Sequence, residues 1–356
     1  MRVVPGIAVA PPGLAPIALQ VDARVSSLLD AELARWTAVD PDLAEPVTAL
    51  RDLVLAGGKR LRPAFCHWAY VGAGGHPGDQ AVIDAGAALE LLHTFALVHD
   101  DIMDGSATRR GTDTIHVQFE AGHAVDGWRG EARRFGEGVA ILVGDLAFVY
   151  ADRLLAGAPA AALEVFTELR VEVNVGQYLD LLGTARGRVD EGAARRISRF
   201  KSGKYTVERP LHLGAALAGR LDDLAGPLSA FGLPLGEAFQ LRDDLLGVFG
   251  DGAVTGKPVG EDLREGKPTL LYALAAQRAS GADAALLARY GAPDLDEDGV
   301  VALQDVLLTT GAVEAVEGNI DRLVAEAVEA LDDAPLTEPA VQALVELAYF
   351  VAGRDR

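Results

Sequence analysis

The sequence predicts an all-α fold, a single-domain bundle of ten or more helices, and three observations carry that expectation. Apolar residues return every three or four positions along most of the chain, the segments between breaks are rich in Ala, Leu, Glu and Arg, and the alternation of β-strands is nearly missing. Val3 to Val21 is uncharged but interrupted by Pro5, Pro11, Pro12 and Pro16. Proline inside a helix costs about 3 kcal/mol, so neither a signal-peptide core nor a membrane span is expected there. Residues 1–22 are expected to form a flexible tail, and 23–356 one domain. Val25, Leu28, Leu29, Leu33 and Trp36 make one helical stripe, and Val82, Ala85, Leu89, Leu92 and Ala96 another. Breaks are predicted at Gly57-Gly58, Gly72 to Pro77, Gly183 to Gly187, Gly232 to Pro234 and Gly250 to Gly260. Gln118 to Gly138, with five glycines, three arginines and an isolated Trp128, reads as a long surface loop of the kind that often serves as a lid.

Composition narrows the function. Among 356 residues, 32 are basic and 52 acidic, a formal net charge of −20, which argues against nucleic-acid or anionic-membrane binding. Half the residues are hydrophobic and 24% are charged, enough for a large core. The single cysteine, Cys66, allows no intrachain disulfide and no Cys-rich metal site, in accord with a cytoplasmic setting. No other uncharged run reaches the roughly 18 residues of a spanning helix, so stable membrane insertion is not expected.

The strongest feature is Asp100-Asp101-Ile102-Met103-Asp104, which ends an apolar helix beginning near Ala81. On a helix Asp101 lies about 100° and Asp104 about 40° around from Asp100, so the three carboxylates share one arc. Two such charges about 6 Å apart repel by roughly 3 kcal/mol at an effective dielectric near 20. Hard divalent cations relieve that repulsion, and Mg²⁺ is typically held by one or two carboxylates, water and substrate phosphates. A second cluster, Gln240-Leu241-Arg242-Asp243-Asp244, follows another apolar stretch, but position 247 is glycine, so this site has the weaker anionic density. Asp251 returns to the same face too far along for the same ion. Lys59 and Arg62 in Gly57-Gly58-Lys59-Arg60-Leu61-Arg62-Pro63, Arg109 and Arg110 beyond the first cluster, and Lys201, Lys257 and Lys267 suggest clamps for two diphosphates.

The ordered motifs GGKRLRP, LLHTFALVHDDIMD with RRG, GQYLD, KSGKYT, FQLRDDLLGVFGD and GKPVGEDLREGKPTLL resemble the trans-isoprenyl diphosphate synthases of the polyprenyl synthetase family, from about Arg51 to Leu271. The resemblance implies helices around a deep central cavity, a homodimer, and head-to-tail condensation of isopentenyl diphosphate with dimethylallyl, geranyl or farnesyl diphosphate. It implies that Asp100, Asp101, Asp104, Asp243 and Asp244 hold about three Mg²⁺ ions, with Gln177, Asp180 and Gln240 in support. By the same resemblance Arg109, Lys201, Lys257 and Lys267 bind the allylic diphosphate, and Lys59, Arg62, His93 and Arg110 bind isopentenyl diphosphate. Ser202 stands where threonine is common and keeps the hydroxyl, whereas Gly247 stands where a third acid is frequent. His93 and His99 are expected to be core residues and not proton carriers. Phe95 and Ala96, five and four residues before Asp100, resemble the pattern of synthases that stop at twenty carbons; farnesyl and longer products stay open. A class I terpene cyclase or a non-catalytic regulatory subunit are the rival readings.

Overall fold

Leu14, Ile17, Val21, Val25, Leu28 and Leu29 recur at helical spacing and are buried along α1 (Leu14–Thr37). The computed structural model describes residues 10–187, 190–250 and 260–353. Helix α1 corrects the expected tail: it starts at Leu14, not Ala23, and takes in Pro16 within its first turn, where backbone N–H groups have no intrahelical acceptor to lose. Asp22, assigned by sequence to that tail, lies 2.7 Å from Arg60.

The chain divides into two compact units. The first comprises Pro12–His67 and His76–Pro159. Besides α1 it contains α2 (Ala44–Leu55), the start of α3 (Leu61–Gly72), α4 (Gln80–Asp104), a two-residue β-pair (Thr108–Arg109 with Thr112–Asp113), α5 (Ile115–Val125) and α6 (Ala132–Leu154). Helix α4 packs on α6 and α1, and α5 on α6. Among the described residues α4 is the one single helix long and apolar enough to cross a membrane, yet most of that stretch is buried within the protein.

The expected loop at Gln118–Gly138 is instead the end of α5, a short bend, and the start of α6. Its glycines serve packing: a Cβ at Gly136 would lie 2.1 Å from the His116 carbonyl oxygen, so only glycine lets α5 and α6 approach. The bend is pinned by His123, Trp128 and Phe135, whose ring centroids lie 5.3–5.9 Å apart.

The second unit comprises Trp68–Gly75 and the chain from Ala160 on. It contains α7 (Ala160–Arg186), α8 (Glu191–Ser198), a π-helical segment (Arg199–Glu208), α9 (Arg209–Leu217), α10 (Leu221–Phe249), α11 (Glu261–Glu265), α12 (Leu270–Arg278), α13 (Gly281–Leu287), α14 (Glu297–Thr309), α15 (Ala312–Glu329) and α16 (Glu338–Ala352). Helix α10 is its axis and packs on the π-helical segment and α15. The predicted break at Gly232–Pro234 does not occur, since α10 runs unbroken through both Pro227 and Pro234. Burial of Leu224, Leu228, Phe231 and Leu235, at roughly 1.5–3 kcal/mol each, outweighs about 3 kcal/mol for each interior proline. The all-α expectation holds: beyond the two-residue β-pair, every regular element among the described residues is helical.

Candidate active site

The first aspartate cluster occupies the last turn of α4. Gly105 ends the helix in the left-handed conformation (φ 68°), and the Ser106 N–H donates to the Asp101 carbonyl at 2.9 Å, closing the terminus. Asp101 is buried, and Arg109 Nε donates to both its carboxylate oxygens at 2.8 Å. Arg109 also approaches Asp100 at 3.9 Å. Burial works to lower the Arg109 pKa, but the bonds to Asp101 and the charges of Asp101, Asp100 and Asp104 outweigh it and raise it. Arg109 thus sits on a carboxylate of the cluster, which sequence reading assigned to diphosphate alone, and Asp100 and Asp104 lie one turn apart on the same face.

Two turns upstream on α4, His93 is held neutral by burial, reinforced by the guanidinium charges of Arg62, Arg110, Arg109 and Arg60. Of these four, Arg109 is itself paired with Asp101, so the positive charge near His93 is partly answered within this unit. Arg60 and Arg110 both hold left-handed backbone (φ 47° and 54°), uncommon for non-glycine residues and a mark of constraint. Arg110 Nη1 donates to the Gly57 carbonyl, and Lys59 lies exposed in the same turn. The residue missed by sequence here is Arg60. It is buried and donates to Glu90 at 2.6 Å, Asp22 at 2.8 Å and the Val54 carbonyl at 2.7 Å, anchoring the turn that carries Lys59 and Arg62.

Phe95 packs with its ring centroid 4.9 Å from Phe148 of α6 and 4.6 Å from His99. His99 Nε2 lies 3.2 Å from the Ile141 carbonyl oxygen, a structural bond across to α6. Phe148 carried no signal in the sequence, because its partner lies on another helix.

In the second unit, Asp243 and Asp244 lie on α10, with Asp244 buried and accepting from Gln240 Nε2 at 2.6 Å. Burial raises the Asp244 pKa well above the usual carboxylate range; the Gln240 bond opposes this, and the charges of Asp262, Asp243 and Asp180 add to it. Arg242, between these residues in sequence, points elsewhere: it is bidentate to Glu317 of α15 at 2.7 and 2.6 Å and donates to the Ala352 carbonyl. Lys201 bonds Asp180 of α7 at 2.6 Å, and Lys267 lies 3.9 Å from the same carboxylate. The π-helical segment that carries Lys201 and Ser202 is pressed between glycines. A Cβ at Gly176 would lie 2.4 Å from the Lys201 nitrogen, and one at Gly236 would lie 2.5 Å from Gly203 Cα. Gln177, one turn before Asp180 on α7, shares its face. Lys257 and Asp251 lie outside the described residues.

The polyprenyl synthetase family model matches residues 45–306. The chain belongs to the polyprenyl synthetase family. Its members here include a geranylgeranyl pyrophosphate synthase from Corynebacterium glutamicum, solved with isoprenyl diphosphate and magnesium, which is 38% identical over 96% of this chain and 99% of that one, with a TM-score of 0.92. A geranylfarnesyl diphosphate synthase from Aeropyrum pernix is 31% identical over 90% of this chain and 96% of its own length. A geranylgeranyl diphosphate synthase from Mycobacterium tuberculosis is 35% identical over 82% and 79%. As a polyprenyl synthetase, the protein is an enzyme, a prenyltransferase of isoprenoid chain elongation.

Among the described residues no three His, Cys, Asp or Glu side chains form a ready metal cage. The carboxylate pairs nevertheless fit Mg²⁺ as a partly hydrated ion completed by phosphate oxygens. The crowding of Asp244 by other carboxylates is the charge pattern that a cation relieves.

Proposed function

We propose that the protein is a geranylgeranyl diphosphate synthase that condenses isopentenyl diphosphate head-to-tail with dimethylallyl, geranyl and farnesyl diphosphates. The observation that carries this reading is a pair of acidic helix faces, Asp100–Asp104 and Asp243–Asp244, each with its own cationic side chains, in a chain so similar to a geranylgeranyl synthase. Asp100, Asp104, Asp243 and Asp244 would hold Mg²⁺, with Asp101 joining through its bond to Arg109; about three ions are the family expectation. When bound, Mg²⁺ supplies positive charge to the diphosphate and weakens the allylic C–O bond.

The chain's own groups do the rest. Lys201, Lys267 and Arg109 stabilise negative charge as the allylic diphosphate departs. Lys257 belongs to the same proposed set, and Ser202 adds a hydroxyl beside Lys201. Arg62, Arg110, Lys59 and neutral His93 bind the diphosphate of the acceptor and orient its double bond toward the allylic carbon. That double bond forms the new C–C bond, and the proton lost from the acceptor passes to the released diphosphate. No side-chain nucleophile takes part.

Product length is read from Phe95, braced by Phe148, as the wall that stops growth at twenty carbons, with Ala96 leaving room beside it. We propose a homodimer as well, supported by exposed apolar stripes: Val171, Val175 and Tyr178 on α7, and Ile141, Leu142 and Val149 on α6. The test is incubation of purified protein with labelled isopentenyl diphosphate and each primer, with and without Mg²⁺, followed by mass analysis of the dephosphorylated products. A Mg²⁺-dependent twenty-carbon alcohol is expected; no condensation with any primer, in folded protein, would sink the proposal. Phe95→Ala is expected to shift the product beyond twenty carbons, and an unchanged distribution would remove Phe95 from this role.

A further inference from the structure

Glu172, Gly176 and Asp180 follow one another at intervals of four on α7, so they lie along one stripe of that helix, with about 12 Å of rise from first to last. The π-helical segment is laid on this stripe. A Cβ at Gly176 would lie 2.6 Å from Lys201 Cα and 2.7 Å from the Phe200 carbonyl carbon, so the backbone of the segment meets α7 at the middle of the stripe. From that contact the two lysines of the segment reach its opposite ends. Lys201 donates to Asp180 at 2.6 Å, and Lys204 donates to Glu172.

Glu172 does more than answer Lys204. It is buried, and Arg209, the first residue of α9, donates to it through Nε at 2.6 Å and Nη2 at 2.8 Å. One carboxylate therefore binds both the middle of the π-helical segment and the residue that follows its end. From the other side α10 offers Ser229, Gly232 and Gly236, which share a face. A Cβ at Gly232 would lie 3.0 Å from Glu208 Cα, and Ser229 Oγ donates to Glu208 at 2.6 Å. The π-helix is rare and mostly limited to single turns, whereas here it runs for ten residues between these two helices. It closes i→i+5 bonds where an α-helix closes i→i+4, so rewinding the segment would rotate its side chains relative to α7 and carry Lys201 off Asp180.

We infer that Glu172 is a positioning residue for the condensation: by binding Lys204 and Arg209 together it holds the π-helical winding that presents Lys201 and Ser202 to the allylic diphosphate. The inference rests on the proposed reading of Lys201 as a diphosphate ligand. Glu172 lies about two turns of α7 from Asp180, so its effect on the diphosphate passes through the segment and Lys201. A buried ion pair is weak evidence for net stability, and fixing one arrangement against its alternatives is the best-attested use of such a group. The alternative fixed here is the α-helical winding of the same residues.

The test is steady-state kinetics of the full chain with Mg²⁺, varying geranyl diphosphate and isopentenyl diphosphate in turn. Glu172→Gln is expected to raise the KM for geranyl diphosphate about tenfold or more, the scale on which small misplacements of binding groups act. The KM for isopentenyl diphosphate is expected to stay within about twofold, because its proposed ligands Arg62 and Arg110 belong to the other unit. Glu172→Asp keeps the charge on a shorter side chain and is expected to give a smaller rise in the same constant; if Glu172→Gln does not fold, the comparison is read from this variant. Lys201→Gln is expected to raise the geranyl diphosphate KM at least as much as Glu172→Gln, and the double variant no further, because one residue acts through the other. Wild-type KM values in folded Glu172→Gln, beside a raised one in Lys201→Gln, would overturn the inference and leave Lys201 as a ligand. Equal rises for both substrates in Glu172→Gln, the mark of a general loss of structure, would also overturn it, as would losses that multiply in the double variant. An unchanged geranyl diphosphate KM in Lys201→Gln would overturn the reading of Lys201 and the inference with it.

Discussion

The two aspartate clusters solve the same electrostatic problem differently. At the end of α4 the like charges are answered locally: Arg109, eight residues beyond Asp101, folds back and clamps it with bonds of 2.8 Å. On α10 the nearest arginine in sequence, Arg242, turns away to Glu317, and the carboxylates instead gain company, with Asp180 and Asp262 adding negative charge around buried Asp244. The first cluster holds a guanidinium from the turn that follows it; the second gathers further carboxylates around Asp244. Similar acidic motifs thus differ in the neighbours that packing brings to them, and the motif does not contain those neighbours.

Breaking each cluster in turn tests the comparison most directly. Asp100→Asn and Asp243→Asn are each expected to lower kcat/KM for condensation by about 10²–10³-fold or more, the scale of removing a group that stabilises charge in the transition state. Arg109→Gln should separate the two clusters. It is expected to weaken the first site while Mn²⁺ binding at the second, read by paramagnetic resonance, stays unchanged.

Stability gives the next largest contrast. Arg60 is 4% exposed and paired with Glu90, so Arg60→Met leaves a buried carboxylate uncompensated. The expected loss is about 3–5 kcal/mol in urea unfolding. Arg242→Met breaks the pair with Glu317, which is more exposed, and a smaller loss, about 1–3 kcal/mol, is expected. Equal losses would remove burial as the distinction between these two anchors.

The effect of pH on stability is comparable to that of Arg242→Met. Burial pushes the His67 imidazole from its ordinary 6.5 down to about 4. The unfolded chain therefore takes up this proton first as pH falls, so the stability is fully present above 6.5 and is lost between 6.5 and about 4. The loss is on the order of 2–3 kcal/mol. Glu172 acts in the same direction at lower pH: burial opposes ionisation, but bonds from Arg209 and Lys204 hold its pKa below 4.5, and its contribution disappears as pH falls through that range. Urea midpoints measured across pH 7 to 4 should show a steeper decline in the wild type than in His67→Asn.

Much of the first cluster was legible in the sequence because its parts are close along the chain. Asp100, Asp104 and Arg109 belong to one helix end and the turn after it, and helical periodicity alone puts the aspartates on one arc. Two of the misreadings share one cause. Gln118–Gly138 read as a loop because glycine usually breaks helices, but Gly136 is required by the contact of α5 with α6. Gly232–Pro234 read as a break for the same reason, and burial along α10 overrode it. Local propensity is worth about 1 kcal/mol per glycine, less than the packing it was set against.

What the sequence determined by itself was the all-α class, the first aspartate cluster, the leading pair of the second, and the family whose motifs they form. These depend on short-range spacing, which the helix repeat converts directly into geometry. Tertiary structure alone decided that Arg60 anchors the turn bearing Lys59 and Arg62, that Phe148 braces Phe95, that Arg242 faces the C-terminal helices, and that Glu172 ties Lys204 to Arg209. Each joins residues from separate elements, and the distance between them in the chain carries no record of the contact that packing creates.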